Sequence, residues 1–388
     1  MINRILGKEI KKLASKFPVI SLTGPRQSGK TTLVKAVFPH YSYISLEDMD
    51  HREHAKEDPR GFLKSFKNGV ILDEVQRVPE LFSYIQTFVD ASKRMGQFIL
   101  TGSQNFLLLE KIGQSLAGRV AVLHLLPLSL KELFETPNKN IELDTLLFTG
   151  MYPAIYDRNI APRIWYSNYI TTYLERDVRQ IKGVSDLNAF QKFMRLCAGR
   201  SGQLLNLSSL GNECGITHTT AKSWLSVLQA SFIVFLLQPY YKNFNKRITK
   251  QPKLYFYDTG MLCTLLGLQN PSQITNNYYR GAIFETLIVS ELVKHSYHNN
   301  KPFNGYFWRD HRGNEIDYII ENGDTLTPVE IKSGETISSD FFKSFQYFHE
   351  IAGSTLKNPC LIYGGEEMQK RKQGNVVSWK NLTEVLKF

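Results

Sequence analysis

The sequence predicts an α/β protein built from several modules, and three stretches carry that prediction. The first is "FPVISLTGPRQSGKTTLVKAVF" (17–38), which reads as a strand, a glycine-bearing loop and a helix. The second is "NLSSLGNECGITHTTAKSWLSVL" (206–228), two apolar-periodic helices separated by a short turn. The third is the pair "NEIDYIIE" and "TPVEIKSG" (314–321 and 327–334), two strands around an Asn-Gly-Asp turn. At 388 residues the chain exceeds one typical core. The expected division is a core over 1–128, a helical lid or connector over 129–190, a helix-turn-helix unit over 191–268 and a C-terminal α/β unit over 275–388.

In the first stretch, Pro18 to Leu22 is short, apolar and β-branched, and helical character sets in from Lys30. Between them lies Gly24-x4-Gly29-Lys30-Thr31, the spacing of a phosphate-binding P-loop. Glycines let the backbone curl so that successive N–H groups converge on a β-phosphate, and the helix dipole adds roughly half a positive charge. Lys30 then reaches the β- and γ-phosphates, and the Thr31 hydroxyl binds Mg²⁺. The expected ligands are ATP and Mg²⁺, with Gly24, Gln27, Ser28, Gly29, Lys30, Thr31 and Thr32 lining the cradle.

Composition sets outer limits. Hydrophobic residues make up 42% and charged residues 21%, which is ordinary for a globular protein and wrong for disorder. Cys197, Cys214, Cys263 and Cys360 stand far apart with no C-x-x-C pair, which argues against a zinc knuckle or disulfide framework and for a reducing, cytoplasmic setting. No apolar run is long enough to span a bilayer, so no membrane partner is expected. The basic start "MINRILGKEIKKLASKF" lacks a continuous apolar stretch and a small-residue cleavage site, and reads as a structural helix on the core. Net charge is +11. Much of the excess sits between Lys182 and Leu254, where Lys182, Lys192, Arg195, Arg200, Lys222, Lys242, Lys246, Arg247, Lys250 and Lys253 face only Asp186 and Glu213. A basic cluster is either a solvated face or a nucleic-acid footprint.

The P-loop has a sequel. "NGVILDEVQRVP" is an apolar strand ending in Asp73-Glu74, where Asp73 would hold Mg²⁺ and Glu74 would polarise the attacking water. "QFILTGSQ" ends in Ser103 and Gln104, and "SLAGRVAVLHLLPL" presents Arg119 before a further strand. With "YSYISLED" between, the serial order resembles that of AAA+ ATPases over about the first third of the chain. That resemblance implies a sensor role for Ser103 or Gln104, and an arginine finger for Arg119 acting in a neighbouring subunit of a homo-oligomer or on a partner protein. The alternative for Arg119 is a helix C-terminal cap. After "LLPLSLKELF" the pattern turns helical through "IWYSNYITTYLERDVRQI", which looks like an AAA+ lid with surface ion pairs among Glu175, Arg176, Asp177 and Arg179. Arg163 is a candidate lid arginine.

In the second stretch, the helix from Leu207 stops at Cys214-Gly215 and the next starts with Thr217 as N-cap. Ala221, Trp224, Leu225 and Leu228 share one face, leaving His218, Thr219, Lys222 and Ser223 outward, a helix-turn-helix geometry suited to a DNA major groove. Two strand-like runs, "FIVFLLQPYY" and "KLYFYD", are joined by "KNFNKRITKQP", which resembles the basic wing of a winged helix, with Lys246, Arg247 and Lys250 placed for phosphate contact. Winged helices also serve as protein-binding or structural modules, so both partner classes stand open, with duplex DNA the leading one.

In the C-terminal stretch, the helix "GAIFETLIVSELVKHSY" carries Glu285, and the strand pair brings Asp317 beside Glu330 and Lys332, which face the same way because strand periodicity is two. This set, with the later "SDFFKSFQYFHEI" and "PCLIYGG", resembles the PD-(D/E)xK or restriction-endonuclease-like superfamily. The resemblance implies that Asp317 and Glu330 ligate Mg²⁺ or Mn²⁺, that Glu285 supports a second ion or bound water, and that Lys332 activates water or stabilises the phosphorane. The combination resembles a large family of bacterial and archaeal ATPases. It implies an ATP-binding protein with ATPase activity. The leading reading of the residues is an ATPase coupled to DNA binding, with metal-dependent DNA cleavage left open; the alternative is a nucleotide-gated switch or scaffold that binds a protein partner, with an inert nuclease-like fold.

Overall fold

The computed structural model of the chain describes residues 2–102, 113, 115–137, 140–174, 178, 184, 186–241 and 249–387. Five short strands, β1 (Val19–Thr23), β2 (Ser42–Ser45), β3 (Val70–Asp73), β4 (Phe98–Thr101) and β5 (Val120–His124), form one parallel sheet in the order β2-β3-β4-β1-β5. β1, β3 and β4 are buried along their whole length because helices cover both faces, which is why they read as continuous apolar runs. Their side chains alternate between those faces. Val19, Val70, Leu72, Phe98 and Leu100 share a cluster with Leu81, Phe82, Ile85 and Val89 of the helix Leu81–Ser92. Ile20, Leu22, Ile71 and Ile99 cluster instead with Leu6 and Ile10 of the helix Leu6–Ala14 and with Leu33 and Val34 of the helix Lys30–Val37. The basic N-terminal segment is thus a structural helix of this core.

Beyond Leu125 the chain builds a second core that runs from Leu126 to Val385. It takes in the helices Leu143–Thr149, Pro162–Tyr173, Leu187–Ala198, Leu207–Cys214, His218–Ala230, Thr259–Leu265 and Arg280–His298. The divisions expected near 190 and 270 are therefore crossed by shared apolar packing. The helix Arg280–His298 is buried around most of its circumference, and so shows little amphipathic pattern.

β6 (Val234–Leu237) and β7 (Lys253–Phe256) pair antiparallel after the two-helix unit. The last six strands, β8 (Gly305–Arg309), β9 (Glu315–Asn322), β10 (Thr325–Lys332), β11 (Cys360–Tyr363), β12 (Gln369–Arg371) and β13 (Gly374–Ser378), form a mixed sheet in the order β12-β13-β11-β10-β9-β8. β9 and β10 are antiparallel, closed by a two-residue turn with Gly323 at φ +60°. The chain leaving β6 continues along β8: Tyr240 N donates to Phe307 O at 2.7 Å and Phe307 N to Gln238 O at 3.1 Å. Backbone bonding thereby fixes the β6–β7 hairpin to the edge of the six-stranded sheet. Among the described residues no helix is long and apolar enough to cross a membrane.

Candidate functional site

The loop from Gly24 to Gly29 leaves the C-terminal end of β1 and enters the helix Lys30–Val37, at the edge where open parallel sheets bind ligands. Gly24 has φ +148° and packs so closely on Leu125 that a β-carbon would lie 2.1 Å from its carbonyl oxygen. Gly29 caps the helix at φ +91°. Both positions require glycine. The Lys30 ammonium donates to Gly24 O at 3.0 Å and Pro25 O at 2.8 Å, which holds it over the loop that a phosphate would fill.

Asp73, at the end of β3, is the hub beside it. Oδ2 accepts from Thr31 Oγ1 and Tyr43 OH, each at 2.8 Å; Oδ1 accepts from Thr101 Oγ1 and, at 3.2 Å, from Glu74 N. All four donors are uncharged. Burial of Tyr43 and its bond to Asp73 push its phenol well above the usual range, so the hydroxyl is a permanent donor. A carboxylate held by neutral hydroxyls, with the Thr31 hydroxyl against it, is a donor set of hard oxygens that would suit Mg²⁺. Glu74 follows at φ +53°, a conformation that turns it away from the strand, and it accepts from Gln76 Nε2. A cavity of about 1280 Å³ spans this edge, bounded on one side by residues 26–32, Tyr43, Asp73 and Glu74, and on the other by Pro153, Arg158 and Tyr173 of the helical segment.

Sequence reasoning missed Tyr43, Thr101 and Arg4. Thr101 is the polar end of the run "QFILTGSQ", two positions before the expected sensor. Ser103 and Gln104 themselves lie outside the described residues. Buried Arg4 donates to Ser28 O at 2.7 Å and Leu126 O at 2.6 Å, and pairs with Glu132 at 3.1 Å, so the N-terminal segment holds the loop from beneath. Arg163 is exposed and does not line the cavity, whereas Arg158 does. Arg119 sits at the N-terminal edge of the sheet, opposite the P-loop, where its backbone O accepts from Val19 N. Its guanidinium makes a two-point pair with Asp90 at 2.5 and 2.8 Å and also donates to Ala117 O. It cannot reach the nucleotide edge of its own chain.

The C-terminal constellation assembles as the strand register requires, but around lysines. Lys332 Nζ bonds Asp317 Oδ2 at 3.1 Å and Glu330 Oε2 at 2.7 Å. Asp317 also accepts from Ile331 N at 2.8 Å. Glu285 lies against a second ammonium, Lys253 on β7, at 3.0 Å, and accepts from Tyr255 OH. Lys253 pairs with Glu315 as well, and Glu315 in turn with Arg309 at 2.8 Å. Burial alone would raise the Asp317 carboxyl, but Lys332 and Lys253 outweigh it and hold the group below its usual range. Burial, reinforced by the Asp317 charge, pushes Glu330 up to about 8. Among the described residues no three His, Cys, Asp or Glu side chains converge to hold a metal. Glu285, Asp317 and Glu330, expected as ligands, are each engaged by a lysine, so the set does not fit a divalent cation as it stands.

On the two-helix unit, Thr217 caps the second helix by accepting from Thr220 N at 3.1 Å, after a turn with Gly215 at φ +74°. Ala221, Trp224, Leu225 and Leu228 are buried, and His218, Thr219, Lys222 and Ser223 are exposed together. Lys250 is exposed next to the hairpin tip; Lys246 and Arg247 lie outside the described residues, as do Glu175, Arg176, Asp177 and Arg179.

Three family models match the chain in tandem: an AAA domain over residues 16–134, a domain of unknown function (DUF8612) over 140–272, and another (DUF4143) over 280–382. The uncharacterized proteins Rv2008c of Mycobacterium tuberculosis and Mb2031c of Mycobacterium bovis are each 30% identical over 339 residues, 86% of this chain and 75% of theirs. Among solved structures, a Walker-type ATPase of Pyrococcus abyssi aligns over 68% of this chain and 96% of its own, at 15% identity and a TM-score of 0.46.

Proposed function

We infer function from one premise: this chain belongs to the same family as the two mycobacterial proteins, and it is a P-loop ATPase of the AAA type. We propose that it uses ATP hydrolysis to control binding of duplex DNA by the helix-turn-helix unit. The observation that carries the ATP part is the join of Lys30, Thr31 and Asp73 at the mouth of the cavity. Gly24 to Thr32 would cradle the phosphates, Lys30 would exchange its carbonyl partners for phosphate oxygens, and Thr31 and Asp73 would hold the Mg²⁺. The ion neutralises charge on the β- and γ-phosphates when bound. Tyr43 and Thr101 fix the Asp73 carboxylate, and Glu74 orients the attacking water. Because Arg119 lies at the far edge of its own sheet, its finger role would be in trans, in an oligomer whose contact opens the pair with Asp90.

The DNA part rests on the shared exposure of His218, Thr219, Lys222 and Ser223 on a capped second helix, and on the basic residues Lys246, Arg247 and Lys250 that the sequence supplies further along, of which Lys250 is exposed. One lysine among neutral side chains suits modest base readout and mainly phosphate contact. The PD-(D/E)xK likeness of the C-terminal unit would add cleavage, but Lys253 and Lys332 already pair with its carboxylates, which favours binding without cleavage. That same pairing favours a second reading, a nucleotide-gated switch that holds a protein partner. Phosphate release with and without duplex DNA separates the two. Stimulation by DNA, weakened in Lys222→Ala with its salt slope reduced by about 1, supports the first reading. Indifference of wild type to any duplex at low salt supports the second. A parallel plasmid-nicking assay in Mn²⁺ is expected to show no cleavage that Lys332→Ala removes.

A further inference from the structure

The C-terminal constellation has one member that no pattern of strand spacing supplies. Lys253 comes from β7, the hairpin of the preceding unit, yet its ammonium lies between Glu285 of the helix Arg280–His298 and Glu315 of β9. Its side chain is 3% exposed, so it is not a surface residue that has drifted onto an acidic patch. Two fixtures hold it there. β7 is registered against β6 with Lys253 opposite Leu237, and the chain after β6 is bonded to β8 at Phe307. From the other side, Lys332 spans Asp317 and Glu330 on adjacent strands. Four carboxylates thus meet three cations in two neighbouring groups: Lys253 with Glu285 and with Glu315, which also pairs with Arg309, and Lys332 with Asp317 and Glu330. The Lys253 charge reaches across to Asp317 and helps hold that carboxyl below its usual range.

We propose that Lys253 is the resident counter-ion of this cluster, standing in for a divalent cation, so that the C-terminal unit is closed to metal in the intact chain and becomes a metal site only when Lys253 is removed. A buried carboxylate group of this size must be neutralised, by a metal or by ammonium groups, because bare charges in a low-dielectric interior are costly. A divalent ion would need at least two of these carboxylates together, and each now faces a lysine. Lys332 belongs to the E-x-K strand itself and would be present either way. Lys253 is the added charge, and it ties closure of the cluster to the docking of the hairpin that follows the helix-turn-helix unit.

The test uses the full chain carrying Thr31→Ala and Asp73→Asn, which removes the cation ligands of the nucleotide site, and Mn²⁺ alone as probe. The melting temperature of this parent is expected to be unmoved by Mn²⁺. Adding Lys253→Met is expected to lower it by on the order of 10 °C, and Mn²⁺ is expected to restore part of that loss, an effect abolished by a further Asp317→Asn. A folded Lys253→Met protein that ignores Mn²⁺ overturns the proposal. Should that variant fail to fold, electron paramagnetic resonance titration of the parent decides: no bound Mn²⁺ supports closure, and an ion lost on Asp317→Asn overturns it.

Discussion

The P-loop site and the C-terminal cluster are built from the same parts, lysines beside carboxylates at strand ends, and differ in where the counter-charge comes from. At the first, Lys30 is held by backbone carbonyls of Gly24 and Pro25, and Asp73 by hydroxyls and an amide, so neither charge is spent on the other. At the second, Lys332 spans Asp317 and Glu330 while Lys253 spans Glu285 and Glu315. Neutral partners leave a site able to take a charged ligand, because exchanging a carbonyl for a phosphate oxygen, or a hydroxyl for a metal, adds attraction without breaking an ion pair. Internal partners convert the same residue types into structure. Residue identity and spacing suggest a chemistry; the charge left over decides whether the site is ready for it.

Stability should separate the two regions most. Removing Lys253 by substitution with Met leaves buried carboxylates uncompensated and is expected to cost about 3–5 kcal/mol in urea unfolding, whereas Asp73→Asn, which disturbs hydrogen bonds from uncharged donors, should cost less, about 1–2 kcal/mol. An equal loss from both would break the comparison. Activity should separate them in the opposite sense. Lys30→Ala removes a charge aimed at the transferred phosphoryl group, a class of contact whose loss costs roughly 10²- to 10³-fold in rate, while Lys332→Ala should leave ATP hydrolysis within about twofold of wild type in steady-state phosphate release.

pH gives a smaller, directional test. Burial raises Glu330 from 4.5 to about 8, so the folded chain binds its proton more tightly than the unfolded one. The stabilisation is full below about 4.5 and is lost as pH rises toward 8. Glu330→Gln should flatten that decline in melts between pH 5 and 8; an unchanged slope would remove Glu330 as its source. Smallest is Tyr43→Phe, which deletes one neutral hydrogen bond to Asp73, worth about 1 kcal/mol. It should raise the Mg²⁺ concentration for half-maximal hydrolysis about fivefold with little change in saturated rate.

The nucleotide site was largely legible in the sequence because it is local. Gly24, Gly29, Lys30 and Thr31 fall in one loop, and Asp73 closes a continuous apolar strand that only a doubly covered parallel sheet would tolerate. Tyr43 was missed because it sits inside an ordinary strand run, and Arg4 because its partners, Ser28 and Glu132, lie 24 and 128 residues away, where no local period connects them. The pair of helices Leu207–Cys214 and His218–Ala230 was legible through the burial period of Ala221, Trp224, Leu225 and Leu228 and the Thr217 cap. In the C-terminal unit, hairpin register correctly joined Asp317 to Glu330 and Lys332. What escaped was Lys253, counted among the basic excess of the middle region, because only tertiary docking of β7 takes it out of solvent and into the cluster.

The most direct test is a count of divalent ions. Mn²⁺ titrated into the wild-type chain with a non-hydrolysable ATP analogue, followed by electron paramagnetic resonance, should give one bound ion per chain, lost in Asp73→Asn. A second ion that survives Asp73→Asn and disappears in Asp317→Asn would contradict the distinction between an open nucleotide site and a closed carboxylate cluster.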